Sequence, residues 1–224
     1  MNWPIELVCF DMAGTTMLDG GLVLEAFRRT IVELGADGEA AAKMEAYVIE
    51  TMGQSKIEVF TALFDDRGAL ANEAFERNFT DAAHDVGVRE VPGARDTVER
   101  LRGRGCKVAL TTGFSPATRE ALIEELGWKD LFEVRVSPAD AGRGRPSPDM
   151  LLACALRTEI AAVGAMAVVG DTWSDMAAGR RAGAGICVGV RTGTDDDGRL
   201  RDGGADDVVD SVADLPEALA LPSN

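Results

Sequence analysis

Four short segments carry the residue types that could do chemistry, and each follows an apolar run. The first reads Phe10-Asp11-Met12-Ala13-Gly14-Thr15-Thr16. A strand that ends in an Asp before a Gly-Thr turn presents a carboxylate at the carboxyl edge of a sheet. In open α/β sheets that edge is where ligands bind. Taken alone, Asp before Gly-Thr is also an ordinary turn. The second segment, Leu110-Thr111-Thr112-Gly113, offers a hydroxyl and backbone N–H groups. The third, Gly144-Arg145-Pro146-Ser147-Pro148, brings a guanidinium whose fork matches a phosphate. The fourth, Gly170-Asp171-Thr172-Trp173-Ser174-Asp175, sets two acids beside a strand end, an arrangement that suits Mg²⁺.

Together these groups suit phosphoryl transfer through a carboxylate nucleophile, with an aspartyl-phosphate as intermediate. Such chemistry needs a hard cation to offset charge and fixed donors around the phosphoryl oxygens. Asp11 is the candidate nucleophile, Thr112 and Arg145 the phosphoryl donors, and Asp171 and Asp175 the metal acids. Each has an ordinary reading by itself: a turn, a surface arginine, a helix cap. Their order on successive strands is what points to a site. His84 is the only histidine and lies in a polar helical stretch. It reads as a solvated side chain, which leaves Ser-His and Cys-His chemistry without support.

Strands and helices must position these groups. Apolar runs recur at 5–10, 107–111, 132–136, 165–169, 185–190 and 207–209, and helix-like segments precede the later ones. That alternation predicts an α/β fold with a Rossmann-like, doubly wound parallel sheet. Ser115-Pro116 and Ser147-Pro148 each place a capping hydroxyl before a proline at a first helical position. Asp149 would add a favourable charge to the first turn of its helix. The stretch from about Leu22 to Arg89 is different. Val23, Phe27, Ile31 and Leu34, then Ile57, Phe60, Leu63 and Phe64, have helical spacing, and no strand is evident. It reads as a helical insertion, with Gly20-Gly21 and Val91-Pro92-Gly93 as hinges. The Gly- and Asp-rich segment 192–204 reads as a solvated loop.

Composition narrows the partners. The net charge of −15 argues against a nucleic-acid surface. No run is long enough to span a bilayer, and no signal peptide precedes Asp11. Cys9, Cys106, Cys154 and Cys187 form no Cys-x-x-Cys pair. They are expected as buried thiols in a reducing cytoplasm.

The ordered set resembles the haloacid dehalogenase superfamily of phosphohydrolases over nearly the whole chain. The resemblance implies a core of residues 1–19 and 91–224, a helical cap of residues 20–90, and Mg²⁺ held by Asp11, the carbonyl of Ala13 and Asp171, with Asp175 in support. Most of its phosphatases and mutases carry a second Asp two residues after the nucleophile, to protonate the leaving oxygen. Here that residue is Ala13. General acid–base help is worth about 10²–10⁴ in rate.

The phosphonatase (phosphonoacetaldehyde hydrolase) branch normally has Ala at that position. There a cap lysine forms a Schiff base with an aldehyde, and the C–P bond breaks to an enamine. Met52-Gly53-Gln54-Ser55-Lys56-Ile57 resembles that cap motif, and Lys56 falls on the lysine. The resemblance implies that Ala13, Met52, Gly53, Thr112, Gly113 and Arg145 contact a small phosphonate or phosphate substrate. It also implies a homodimer through the caps. Phosphonatases use a histidine on the next turn of the cap helix and a cysteine soon after the first motif. Val59 and Gly21 stand at those positions. Two other readings stay open: hydrolysis of a small phosphate monoester of the phosphoglycolate type, with Lys56 as a binding cation, and a non-catalytic phosphate-binding module.

Overall fold

The computed structural model describes residues 5–219. The chain begins with β1 (Leu7–Asp11), all of whose residues are buried. Four helices follow directly: α1 (Leu22–Glu33), α2 (Gly38–Glu50), α3 (Lys56–Phe64) and α4 (Gly68–Val86). Strand and helix then alternate through α5 (Ala94–Gly103), β2 (Lys107–Thr111), α6 (Pro116–Glu125) and β3 (Val134–Val136). A short α7 (Pro138–Ala141) and α8 (Asp149–Thr158) lead to β4 (Met166–Gly170) and α9 (Trp173–Ala182). The chain continues with β5 (Ile186–Val190), α10 (Asp197–Gly203), β6 (Asp207–Val209) and α11 (Leu215–Ala218).

All six strands pair in parallel, in the order β3-β2-β1-β4-β5-β6. Helices cover both faces. Leu7 and Cys9 join one hydrophobic cluster, and Val8 and Phe10 join the other. Burial on both faces makes such strands near-continuous apolar runs. Each expected strand is present, with shifted ends: the first spans 7–11 rather than 5–10, and 132–136 shortens to Val134–Val136. The chain winds outward from β1 to β3, then crosses back past β1 to β4. The strand order therefore reverses beside β1, which opens a crevice at its carboxyl end.

Ser115 caps α6 as expected, accepting the Thr118 N–H at 3.2 Å. Ser147 does not cap a helix. α8 starts at Asp149, and the Ser147 hydroxyl donates to the Asp149 carboxylate at 2.7 Å. Arg143 already grips that carboxylate with two bonds of 2.8 Å. A charged acceptor makes the stronger hydrogen bond, so it takes the hydroxyl from a capping role. The segment 192–204 is no simple loop either. Asp196 caps α10 through the Arg199 N–H, and Leu200 is fully buried.

The insertion consists of helices and short connections, with no strand among the described residues. Phe27, Phe60, Phe75 and Phe79 form one ring cluster, with Phe75 lying 4.6 Å from Phe27 and 5.6 Å from Phe60 between centroids. Phe114, from the loop after β2, joins it 4.5 Å from Phe79. Ile57 is exposed, against its expected role in the apolar stripe; Val59 is buried instead. The two connections to the sheet run side by side. Leu18 N–H donates to Arg89 C=O at 2.9 Å, and Val91 N–H donates to Thr16 C=O at 2.8 Å. Gly20, Gly21 and Gly93 take left-handed backbone angles there, which glycine adopts without penalty. Among the described residues, no helix is long and apolar enough to cross a membrane.

Because Phe75 touches four other rings, Phe75→Ala is expected to destabilise the fold by about 3–5 kcal/mol. Urea unfolding checks this. A loss below about 1 kcal/mol would show that the cluster does not tie the insertion to the sheet.

Candidate active site

Strand register brings the four motifs together. Asp11 pairs with Thr111 of β2, and Phe10 pairs with Val169 of β4, so Asp11 stands beside Gly170 and next to Asp171. A cavity of about 30 Å³ opens at this point. Asp11, Ala13, Thr112, Gly113, Arg145 and Asp171 line it from the sheet edge, and Met52, Gly53 and Lys56 line it from the insertion. Of the site residues expected from sequence, Asp175 alone does not line the cavity. It sits behind, paired with Arg145.

The electrostatics are dominated by crowded acids. Asp11, Asp171 and Asp175 are all buried, and one carboxylate oxygen from each lies within 4.8 Å of the others. One guanidinium serves them: Arg145 Nη1 donates to Asp11 Oδ1 at 2.6 Å and also to Asp175. Burial pushes the Asp11 carboxyl up to about 6; Arg145 opposes the shift and Asp175 adds to it. Burial also pushes Asp171 well up, reinforced by the charges of Asp11 and Asp175. Burial works against the Arg145 charge, yet Asp175 and Asp11 hold its proton more firmly than usual.

Three buried carboxylates exceed the charge of one arginine, and an all-oxygen donor set is what a hard divalent cation takes. The residues fit such an ion. They also fit an anionic oxygen, since Arg145 Nε is buried with no hydrogen-bond partner.

Local sequence explains how each acid is held. Gly14 has a φ of +92°, and a Cβ there would fall 2.5 Å from Asp171 Oδ2. Thr16 Oγ1 donates to the Asp11 carbonyl at 2.9 Å and ties the turn to the strand end. Asp175 forms a capping box with Thr172 at the start of α9, so it serves as both cap and ion-pair partner. Thr112 offers less than expected. Its N–H bonds to Val136 C=O at 3.2 Å, and its Oγ1 accepts the Phe114 N–H at 3.3 Å.

Sequence reasoning missed several contributors. Thr15 Oγ1 donates to Asp171 Oδ1 at 3.1 Å, and Thr194 N–H donates to Asp171 Oδ2 at 2.9 Å. Thr192 Oγ1 donates to Gly14 C=O at 2.6 Å. Asp19 lines the cavity from the entry to α1. The signal available for the 192–204 segment was an Asp cap four residues before Leu200.

Lys56 opens α3 and is 7% exposed. Its ammonium lies 5.5 Å from the Phe114 ring centroid and 5.8 Å from that of Phe27. Burial lowers its pKa and Arg145 lowers it further, while Asp11, Asp19 and Glu76 act the other way. Val59 points into the aromatic core and Gly21 is exposed, so neither meets Lys56 in the cavity. His84 is exposed on α4. The described cysteines are all free and buried.

The loop before α3 seats on the sheet edge where glycines allow close approach. Gly53 packs on Thr172, Gly144 on Ser55, and Gly113 on the Gln54 carbonyl. Gly144 N–H donates to Glu58 at 3.1 Å, and Lys56 N–H to Gly113 C=O at 3.4 Å. A Cβ at position 113 would lie 2.5 Å from the Gln54 oxygen and 3.5 Å from Lys56 Nζ. Gly113→Ala is therefore expected to cut turnover of an activated phosphate ester at least tenfold while shifting the melting temperature by only a few degrees. Steady-state kinetics beside a thermal melt would test it; wild-type kinetics in the variant would show the seam to be slack.

The model of the haloacid dehalogenase-like hydrolases matches residues 5–183. A phosphonoacetaldehyde hydrolase from Bacillus cereus (strain AH187) is 31% identical over 215 residues, covering 83% of this chain and 76% of that protein. Another, from Hahella chejuensis (strain KCTC 2396), is 31% identical over 261 residues and covers 96% and 86% of the two chains. The crystal structure of a phosphonoacetaldehyde hydrolase-like protein from Oleispira antarctica superposes with a TM-score of 0.83 at 26% identity, covering 97% of this chain and 92% of that one. The chain belongs to the haloacid dehalogenase-like hydrolases and is an enzyme of that family.

Proposed function

We propose that this enzyme is a Mg²⁺-dependent, phosphonatase-like hydrolase that cleaves a small phosphonate through an aspartyl-phosphate on Asp11, phosphonoacetaldehyde being one candidate. The carrying observation is Lys56: an amine held toward its neutral form, in an aromatic niche, in the same cavity as Asp11 and Arg145. Ala13, which cannot protonate a leaving oxygen, agrees with a leaving carbon instead. We divide the chain accordingly into a core (1–19 and 91–224) and a cap (20–90).

In this reading Lys56 Nζ attacks the substrate carbonyl and expels water, giving an imine. Asp11 then attacks phosphorus, and the C–P electrons move to carbon as the enamine forms. Arg145 and Thr112 hold the phosphoryl oxygens during the transfer. One water hydrolyses the aspartyl-phosphate. A second releases the protonated enamine as aldehyde, so one water is consumed overall. Mg²⁺, held by Asp11, the Ala13 carbonyl and Asp171 with Asp175 behind, would offset the charge on the phosphoryl group.

One observation favours a second reading, hydrolysis of a small phosphate ester with Lys56 only binding the substrate. Neither Val59 nor Gly21 offers the lysine an acid–base partner. Two experiments bear on these readings. With an aldehyde phosphonate, borohydride is expected to trap an adduct on Lys56, and both Lys56→Arg and Asp11→Asn should lose at least a thousandfold in kcat. An arginine keeps the charge but forms no imine. A Lys56→Arg enzyme that keeps its kcat with a raised KM would support the ester reading.

The second experiment concerns the metal. The raised pKa of Asp11 means that the folded protein keeps its proton below about pH 6 and loses it above. Mg²⁺ must displace that proton at pH 5 but not at pH 8. Mg²⁺ should therefore raise the melting temperature more at pH 8 than at pH 5, and an equal shift at both would refute the assignment of Asp11 as a ligand.

A further inference from the structure

The cavity is lined by the acids and Arg145 at the sheet edge, and also by Asp19, Val23 and Lys56. Asp19 stands just before α1, and its carboxylate is rigidly placed. Oδ2 accepts the Gly21 N–H and Oδ1 the Val23 N–H, both at 3.1 Å. Those amides belong to the first turn of a helix, where the dipole favours negative charge.

Arg145 and Lys56 are the cations that line the cavity, and both are already answered. Asp11 and Asp175 engage Arg145, and Asp11, Asp19 and Glu76 all attract Lys56. Glu76 is itself fixed, accepting the Ser115 N–H and hydroxyl at 3.1 Å each, and a bond from Thr118. A second anionic group on a ligand would find Lys56 compensated and a fixed carboxylate facing it. Like charges brought within a few ångströms of each other in a small cavity repel, well inside the screening length of salt.

From this juxtaposition we infer that Asp19 is a specificity-determining residue: it rejects ligands with a second anionic group and admits those whose far end is neutral or cationic. The inference rests on the placement of the phosphoryl group at Asp11 and Arg145 proposed above. It sets the phosphoglycolate-type substrate aside and favours an aldehyde, an alcohol or an amine at that end. It also separates two roles for Asp19. A residue that only caps α1 would affect stability and leave ligand charge preference untouched.

Three phosphonates of similar size differ only in the charge of the far end: propylphosphonate, phosphonoacetate and 2-aminoethylphosphonate. Their affinities can be read by calorimetry at pH 8 with Mg²⁺ present, without any turnover. The wild-type protein is expected to bind propylphosphonate at least tenfold more tightly than phosphonoacetate. Asp19→Asn, which keeps the length and an oxygen acceptor, should shrink that gap to under threefold. It should also weaken 2-aminoethylphosphonate several-fold relative to propylphosphonate. Equal wild-type affinity for propylphosphonate and phosphonoacetate would overturn the inference alone, and needs no variant to fold. An unchanged gap in a folded Asp19→Asn protein would do the same. No binding of propylphosphonate at all would overturn the phosphoryl placement, and this inference with it.

Discussion

Arg145 between Asp11 and Asp175 is the interaction on which the site depends. Three carboxylates have been taken out of water at the carboxyl edge of one sheet, and desolvation alone costs several kcal/mol per ion. A single guanidinium, itself buried, links two of them. That link joins the end of β1, the start of α9 and the loop after α7. The remaining excess of negative charge is what a cation would relieve. The cluster is thus unsatisfied by construction, and it sits where binding a metal and a phosphoryl group would complete it.

Labour is divided between the two parts of the chain. The sheet edge supplies fixed charges whose positions follow from strand register. The insertion supplies Met52, Gly53 and Lys56, and the turn that leads into it supplies Asp19. The join between the parts is made by absent side chains: Gly53, Gly113 and Gly144 let the loop before α3 lie against the sheet edge.

Much of this was legible in the residues. Strands buried on both faces are apolar runs, so β1 to β6 could be read to within a few residues, and the acids could be assigned to their ends. The insertion was legible from the spacing of Phe27 and Phe60. What escaped depended on contacts across the fold. Ser147 was drawn from its capping role by Asp149, itself held by Arg143. Thr194 reaches Asp171 only because the segment after β5 folds back over Gly14. Asp19 carries no motif, and nothing in its neighbours announces that it shares a cavity with Lys56.

The strand order has a consequence for the life of the chain before it is complete. β1 is made before the other five strands of its sheet, yet it ends in the middle of it. Its neighbour β2 is made only after five helices, and β4 after three more. At about 5–20 residues per second, this apolar strand waits several seconds for its first partner. Both its edges are open meanwhile, a template for pairing with another nascent chain. The helices between β1 and β2 can form from local contacts in that interval, giving the strand a surface to rest on before its sheet exists.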